Sequence, residues 1–422
     1  MKGTLRWPIA VLICAAIAIS YFDRQTLSVA IAAIQREIPI TNTQFSQLQA
    51  YFLLAYALMY AGGGRLIDTL GTRLGFALIM FWWSLACASH ALARSFGMLA
   101  ASRLLLGAGE GGAFPAATKA VSEWFPARER STAMGIINAG TAVGAVAAPP
   151  AISLIITGLT WRWVFLFSGA LGLLWTAFWW RQYRPGREHP SLGPAERREI
   201  AEALRYAGDQ PQALEWLRLL GIPQVWGLVA AKFLSDAAWY FYLFWLPKYL
   251  YDARGFDIKS VGAFAWIPYA FSGIGSLSGG WFSSELIRHG HSVNVARKAA
   301  LGASASLMPW ILFITHVPIA IAIALFSIAF FGQQSWSTLV MVLPADLFPH
   351  NAVGSVAGLV GFGGAIGGAV FGLAAGYLLD HGFGYGPVFV AVSTFHVAAF
   401  LVILLSVRQV APLHSSVLEA TL

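Results

Sequence analysis

An acid and a base stand side by side inside the first long apolar stretch of the chain. Asp23 and Arg24 interrupt the segment 7–34, which carries no other charged side chain. A charge at bilayer depth costs about 2.5–3.5 kcal/mol on insertion scales, so such residues usually have a function. Arginine offers a planar donor fork that suits a carboxylate, and a carboxylate can hold a proton. The pair therefore predicts a site in a membrane that handles an anion and a proton.

A second apolar segment, 97–123, also carries charges. Arg103 and Glu110 are seven residues apart, which places them on one helix face about two turns from each other. We predict that Arg24 and Arg103 bind the anion, and that Asp23 and Glu110 couple to protons as one titrating set. The alternative is an ion-pair network that only fixes helix packing, although apolar contacts could fill that role.

Aromatic and amide side chains in other apolar segments could contact the hydroxyl groups of a substrate. Tyr21 lies about one helical turn before Arg24, on the same stretch. An aromatic residue in a membrane helix can equally be a packing or interfacial residue. The predicted contacts are Tyr21, Tyr56, Trp239, Tyr240, Gln333, Ser335 and Trp336.

Several patterns argue against other kinds of chemistry. The GxGxxG match at 107–112 lies in an apolar helix with no preceding strand, so it does not predict a dinucleotide site. The sequence has no phosphate-binding GxxxxGK[ST] loop, no nucleophile–base arrangement and no histidine–cysteine cluster. We interpret His316, His381 and His396 as packing or interfacial residues. We therefore predict no enzyme activity, no cofactor and no metal.

The composition is that of a membrane protein. Of the 422 residues, 58% are hydrophobic and 11% are charged, against about 25% charged in soluble domains. A span needs about 20 mostly apolar residues. The predicted fold is an all-α membrane protein with twelve transmembrane helices, at 7–34, 46–67, 74–93, 97–123, 131–158, 162–183, 223–250, 259–288, 297–316, 318–344, 352–380 and 386–407.

One long polar stretch divides the spans into two sets of six. Residues 1–184 and 223–422 are predicted to form the two halves, and 185–222 a cytoplasmic connector with an interfacial helix that begins at Pro194. Most of the 27 lysine and arginine residues lie in the segments that are inner if the N-terminus is inside. The positive-inside rule then places both termini in the cytoplasm. The net charge of +8 reflects this topology and does not predict nucleic-acid binding.

Glycines spaced four apart mark the eleventh span. Small residues at this spacing let two helix backbones approach closely. Simple packing is one interpretation, and a helix that slides or bends during a conformational cycle is the other. The positions are Gly354, Gly358, Gly364, Gly368, Gly372 and Gly376.

A motif between the second and third spans resembles the cytoplasmic signature of the major facilitator superfamily. It consists of Gly64, Asp68, Gly71 and Arg73, with Thr69 where the family has a basic residue. The resemblance implies two six-helix pseudo-repeat halves. It also implies that the motif acts as a conformational latch and does not contact substrate.

Within that superfamily the chain resembles the anion:cation symporters, through the segments 21–30, 103–135 and 345–358. The resemblance implies that Arg24 and Arg103 bind an organic carboxylate and that Asp23 and Glu110 are protonation sites. The segments 239–269 and 279–298 are most similar to hexuronate transporters. Gly361 stands where aldonate-type members often carry asparagine, so an aldonate pocket is disfavoured.

These patterns predict a proton-coupled symporter that imports a hexuronate such as galacturonate or glucuronate by alternating access. We expect a monomer in the bacterial inner membrane, whose partners are the organic anion, protons and the lipid bilayer. A facilitator or exchanger of another organic anion (an aldonate, an aromatic acid or a dicarboxylate) is the first alternative. A non-transporting sugar-acid sensor is the second, and the short connector disfavours it.

Overall fold

A computed structural model describes residues 5–125, 127–185, 189–190, 192–193, 197, 219–348 and 350–411, without the side chains at 61, 64, 65, 68, 122, 127–132, 350–352 and 354. Within these ranges the chain is helical and contains no strand. The predicted all-α fold is confirmed. The connector helix expected at Pro194 lies in a part of the chain outside the described residues.

Seven α-helices lie before residue 185 in the part of the chain that the structure describes. They are α1 (Arg6–Ile34), α2 (Asn42–Leu70), α3 (Thr72–Ser89), α4 (Phe96–Glu110), α5 (Ala113–Trp124), α6 (Ala127–Gly158) and α7 (Trp161–Gln182). The predicted fourth span, 97–123, is thus two helices separated at Gly111 and Gly112. A Cβ atom on Gly111 would overlap the backbone of Tyr56 in α2, so the break coincides with a close approach of two helices.

Seven further α-helices follow residue 222 in the described part of the chain. They are α8 (Pro223–Arg254), α9 (Ile258–Phe264), α10 (Trp266–Arg288), α11 (Val293–Ser306), α12 (Ile319–Leu347), α13 (His350–Asp380) and α14 (Tyr385–Ser406). The eighth predicted span is α9 with α10, and the ninth is α11 continued by a 3₁₀ segment, Met308–His316. The fourteen helices therefore account for twelve spans, as predicted.

The spans differ in how apolar they are. Eight helical segments of the described chain are long and apolar enough to cross a bilayer by length and composition. The other four spans are α2, α4 with α5, α8, and α9 with α10. Two of these four hold buried charged side chains, in α4 and in α8. Buried charge is not confined to these spans, since α1, one of the eight, holds Asp23 and Arg24.

The described chain forms two compact units. The first unit comprises residues 1–39 and 54–210, and the second comprises 40–53 and 211–422. In the first unit α1 packs along α6, and α3 along α7. In the second unit α8 packs along α13, and α10 along α12. The first part of α2 belongs to the second unit, where the carboxylate of Asp380 accepts hydrogen bonds from the backbone N–H groups of Asn42 and Thr43 at 2.9 and 2.7 Å.

The glycines of the eleventh span serve different purposes. A Cβ atom on Gly364 or Gly368 would overlap side chains of α8, and one on Gly376 would overlap Ser46. These three glycines allow the close helix packing that their spacing predicts. A Cβ atom on Gly358 or Gly372 would meet open space, so spacing alone overstates the packing role.

The predicted latch motif is only partly described. Gly71 precedes α3 with a φ of 74°, a conformation that favours glycine. Arg73 donates a hydrogen bond to the backbone oxygen of Trp180 at 2.6 Å, and its guanidinium carbon lies 4.4 Å from the centre of that indole ring. Gly64 and Asp68 lie outside the residues whose side chains are described. The latch therefore stays a prediction.

Candidate functional site

The centre of the site in the first unit is a buried ion pair between α1 and α4. Nε of Arg24 lies 2.8 Å from Oε2 of Glu110, and the two side chains are 3% and 0% exposed. Ser20, one helical turn before Arg24, donates a second hydrogen bond to the same oxygen at 2.7 Å. The glutamate is thus held by two donors from α1, and the pair joins residues that are 86 positions apart.

Asp23 does not share this pairing, although it is the neighbour of Arg24. Consecutive residues of an α-helix point about 100° apart, so the two side chains leave α1 in different directions. The carboxylate of Asp23 accepts a hydrogen bond from Ser168 on α7. The thiol of Cys87 on α3 lies within hydrogen-bonding distance of the same carboxylate. Asp23 is therefore held by neutral donors, whereas Glu110 is held by a cation.

Arg103 completes the charge balance of this region. It lies two turns before Glu110 on α4, is fully buried, and interacts electrostatically with Glu110, Asp23 and Arg24. The region thus contains two cations and two carboxylates, with a formal sum of zero. An added anion would disturb that balance unless a proton accompanied it.

Two tyrosine rings enclose the guanidinium of Arg24. Its Cζ atom lies 4.6 Å from the ring centre of Tyr21 and 4.6 Å from that of Tyr56. Aromatic faces attract cations and restrict their orientation. Since Glu110 also fixes Nε, the arginine fork is held in place before any ligand arrives.

The charged residues of this region are recognisable in the sequence, whereas their neutral partners were not predicted. Ser20 is four residues before Arg24, so helical spacing could have indicated it. Ser168 and Cys87 give no such signal, because they reach Asp23 from helices that are distant along the chain. Their hydrogen bonds depend on tertiary packing that one sequence does not display.

In the second unit, three of the predicted contacts line α8 and α12. Trp239 packs edge-on against Phe330, with ring centres 5.6 Å apart, and Tyr240 stacks on Phe244 at 5.8 Å. Gln333 is buried and donates through its amide to Asp236 at 3.5 Å. These side chains form an aromatic and polar region on the two helices.

Two other predicted contacts, Ser335 and Trp336, are engaged in packing between helices. The hydroxyl of Ser335 lies 2.7 Å from that of Ser304 on α11. Trp336 is fully buried, with its ring centre 5.6 Å from the ring of His396 on α14. Their role as substrate contacts stays a prediction.

Among the described residues, no group of three or more histidine, cysteine, aspartate or glutamate side chains is placed to hold a metal ion. What the first unit holds is two buried arginines beside two buried carboxylates. Long apolar helices that enclose balanced charges define a multi-pass membrane protein of the transporter class.

Comparison with known proteins identifies the family. Residues 13–372 match the family described as Major Facilitator Superfamily, and the chain belongs to it. It is therefore a membrane transporter and not an enzyme. It is 33% identical over 408 residues to the hexuronate transporter of Escherichia coli K12, which covers 96% of this chain and 94% of that one.

Two further relatives agree with this assignment, and one solved structure shares the fold. The galacturonate transporter of Dickeya chrysanthemi is 35% identical over 313 residues, 73% of this chain and 90% of its own. The D-galactonate transporter of Escherichia coli O6:H1 is 29% identical over 402 residues, 93% of each chain. A bacterial homologue of the human lysosomal transporter Spinster superposes with a TM-score of 0.70 at 16% identity, over 100% of this chain and 98% of that one, which supports the fold.

Proposed function

We propose that the protein is a proton-coupled symporter that imports a sugar-acid monocarboxylate, a hexuronate such as galacturonate or glucuronate. Its similarity to transporters named for these sugar acids supports the substrate class. The buried ion pair between Arg24 and Glu110 is the observation that carries the proposal. We place the protein in the bacterial inner membrane as a monomer, with both termini in the cytoplasm.

In this proposal the substrate carboxylate binds Arg24 and Arg103. The guanidinium of Arg24 is already oriented by Tyr21 and Tyr56, so little conformational freedom is lost when the anion binds. A planar carboxylate can accept two parallel N–H bonds from such a fork. The anion therefore competes directly with Glu110 for the same cation.

Competition for Arg24 is the proposed coupling step. When the substrate takes the donors of Arg24, Glu110 loses its counter-charge inside a site shielded from water. A buried carboxylate without a partner is costly, and binding a proton removes its charge. When the anion and the proton bind together, the formal charge of the region therefore stays at zero.

Asp23 is the second proposed proton site. Because Ser168 and Cys87 hold it with neutral groups, its protonation does not require an arginine to move. We propose that it is loaded from the outside and emptied towards the cytoplasm as the two halves alternate. The hydroxyls of the sugar would then meet Tyr56 and the predicted contacts of α8 and α12.

Uptake of labelled galacturonate into proteoliposomes under an imposed pH gradient tests the proposal. We expect uptake to rise with an inward proton gradient, and Glu110→Gln to remove that dependence, because the amide cannot exchange a proton. Glu37→Gln is a matched control, since Glu37 forms an exposed ion pair in the same unit. Gradient-independent uptake by the unmodified protein would contradict proton coupling. Uptake by Glu110→Gln that depends on the gradient as much as uptake by Glu37→Gln does would contradict the role of Glu110.

A facilitator or exchanger of an aldonate is the second candidate, favoured by the similarity to a D-galactonate transporter. The same vesicles, loaded with unlabelled galactonate, distinguish the two candidates. Exchange that exceeds net uptake and ignores the pH gradient would favour the exchanger.

A further inference from the structure

The second unit contains a buried ion pair that the proposed mechanism does not use. Nζ of Lys232 lies 3.0 Å from Oδ1 of Asp236, four residues further along α8, and both side chains are 8% exposed. The lysine also donates to Oγ of Ser337 on α12 at 2.7 Å. By helix rise the two residues lie about 14 and about 20 Å from the start of α8, which places them inside the membrane.

Polar groups from two more helices continue this pair. Gln333 on α12 donates to the same oxygen of Asp236, and its own oxygen is hydrogen-bonded to Nε2 of His396 on α14. Nδ1 of His396 is buried and has no hydrogen-bond partner among the described residues. The result is a chain of donors and acceptors across three helices. We call these residues, Lys232, Asp236, Gln333 and His396, the second-unit cluster.

A fourth helix leaves space for the cluster. A Cβ atom on Gly364 of α13 would overlap Oδ2 of Asp236 and lie 3.1 Å from Cγ of Lys232. The helix that covers the pair therefore presents backbone there and adds no titratable group. Since apolar side chains could pack these helices at lower cost, the retained charges point to a function.

The chemistry of the cluster complements that of the first unit. Lys232 has three donors, Asp236 has two acceptor oxygens and Gln333 has both kinds, a set that suits neighbouring hydroxyl groups. Unlike Arg24, whose partner Glu110 lies on another helix, Lys232 has its countercharge on the same helix. The cluster can thus bind a polyol without attracting a second anion.

We propose that the Lys232–Asp236 pair sets the charge selectivity of the transporter, by binding the hydroxylated end of the substrate and rejecting a second carboxylate. This inference rests on the proposed function, in which the hydroxylated end of the sugar acid reaches α8 and α12. A dicarboxylate would bring its second negative charge to Asp236, and specificity can be built on such repulsion. Without Asp236, Lys232 would instead attract that charge.

Binding of galacturonate and galactarate to purified protein tests this selectivity, because galactarate carries a second carboxylate at the carbon where galacturonate carries its aldehyde. Asp236→Asn is expected to raise the affinity for galactarate relative to galacturonate at least tenfold. Lys232→Gln is expected to lower that ratio. The double variant Lys232→Gln/Asp236→Asn removes both charges and is expected to return the ratio towards that of the unmodified protein.

The outcomes separate this inference from the proposed function. A ratio that is unchanged in Asp236→Asn, or equally changed in the double variant, would overturn charge selection. If Asp236→Asn does not fold, the ratio in Lys232→Gln decides, and an unchanged ratio there overturns the inference. If the unmodified protein binds neither sugar acid, the proposed function is wrong as well.

Discussion

In the first unit the buried arginine pairs with a glutamate 86 residues away, on another helix, whereas in the second unit the buried lysine pairs with an aspartate one turn along the same helix. The two pairs are similar in distance, at 2.8 and 3.0 Å, and both are nearly inaccessible to water. They differ in what must move to break them. A shift of α1 against α4 opens the Arg24–Glu110 pair, but no rigid movement of α8 opens the Lys232–Asp236 pair.

This difference suits the two pairs to different tasks. A pair that joins two helices depends on their relative position, and a ligand can replace one of its partners. Such a pair can therefore couple ligand binding to helix movement. A pair within one helix is not separated when that helix moves as a rigid body, so it can present a constant pattern of charge. We therefore assign coupling to the first pair and selectivity to the second.

The largest expected effect comes from breaking the pair between helices. Arg24→Ala removes the proposed anchor and leaves Glu110 buried without its cation, so we expect galacturonate binding to fall at least 100-fold. Arg24→Lys keeps the charge but loses the planar fork, and hydrogen bonds to charged groups contribute about 1.5–3 kcal/mol. An intermediate loss of roughly tenfold is expected, measured by equilibrium binding.

Control variants for this test come from the same unit. Arg162→Ala removes an exposed arginine and is expected to leave binding unchanged. If Arg24→Ala bound galacturonate as tightly as the unmodified protein does, Arg24 would not be the anchor of the substrate. The pair of Arg24 with Glu110 would then serve helix packing only.

Helix packing next to the second-unit cluster gives the next largest effect. A Cβ atom on Gly368 would overlap the ring of Tyr240, whereas one on Gly372, a turn later on α13, would meet open space. Overpacking costs about 1–3 kcal/mol. We therefore expect Gly368→Ala to lower the melting temperature in detergent by several degrees and Gly372→Ala to leave it nearly unchanged. Equal shifts would show that α13 does not pack on α8 at Gly368.

Much of the fold could be predicted from the sequence, because long apolar segments can satisfy their backbone groups in a membrane only as helices. The breaks within spans were not predicted. The separation of α4 from α5 at Gly111 coincides with a backbone contact to Tyr56, which depends on a neighbouring helix. The 3₁₀ segment at Met308–His316 has a local cause, because Pro309 at its start cannot continue the preceding α-helix.

The charged residues of the site could also be found from the sequence, because charge is rare inside apolar spans. Their pairing could not. Asp23 and Arg24 suggest one pair, yet each has a partner from a distant part of the chain, in Ser168 and Glu110. Lys232 and Asp236 follow the spacing of an intrahelical pair, so their contact was readable in principle.

Two serines, one beside each buried ion pair, allow a direct comparison of the Arg24–Glu110 and Lys232–Asp236 pairs. The expected effects are smaller than those of the substitutions above. Ser20 donates to Glu110 at 2.7 Å, and Ser337 accepts from Lys232 at 2.7 Å. Each hydrogen bond contributes about 1 kcal/mol, or roughly fivefold in an equilibrium. Ser20→Ala is expected to change how uptake depends on the pH gradient, and Ser337→Ala to change the ratio of galactarate to galacturonate binding. If either substitution moved both readouts equally, the division of tasks between the units would be wrong.

The smallest effect is expected at the exposed ion pair of the first unit, between Glu37 and Arg162. Comparison with the buried pairs shows how much burial adds to the strength of an ion pair. Hydrogen bonds from Arg162, and then from Trp161, lower the pKa of Glu37 below its usual value of 4.5. Because this pKa is lower in the folded state, the stabilisation is present above about pH 4.5 and is lost as the pH falls through the folded-state value. Exposed pairs contribute about 0.2–1 kcal/mol, so Glu37→Gln should lower the melting temperature slightly at neutral pH. Below the folded-state pKa the unmodified protein and Glu37→Gln should melt at the same temperature. A difference that persisted there would mean that Glu37 stabilises the fold by packing and not by its charge.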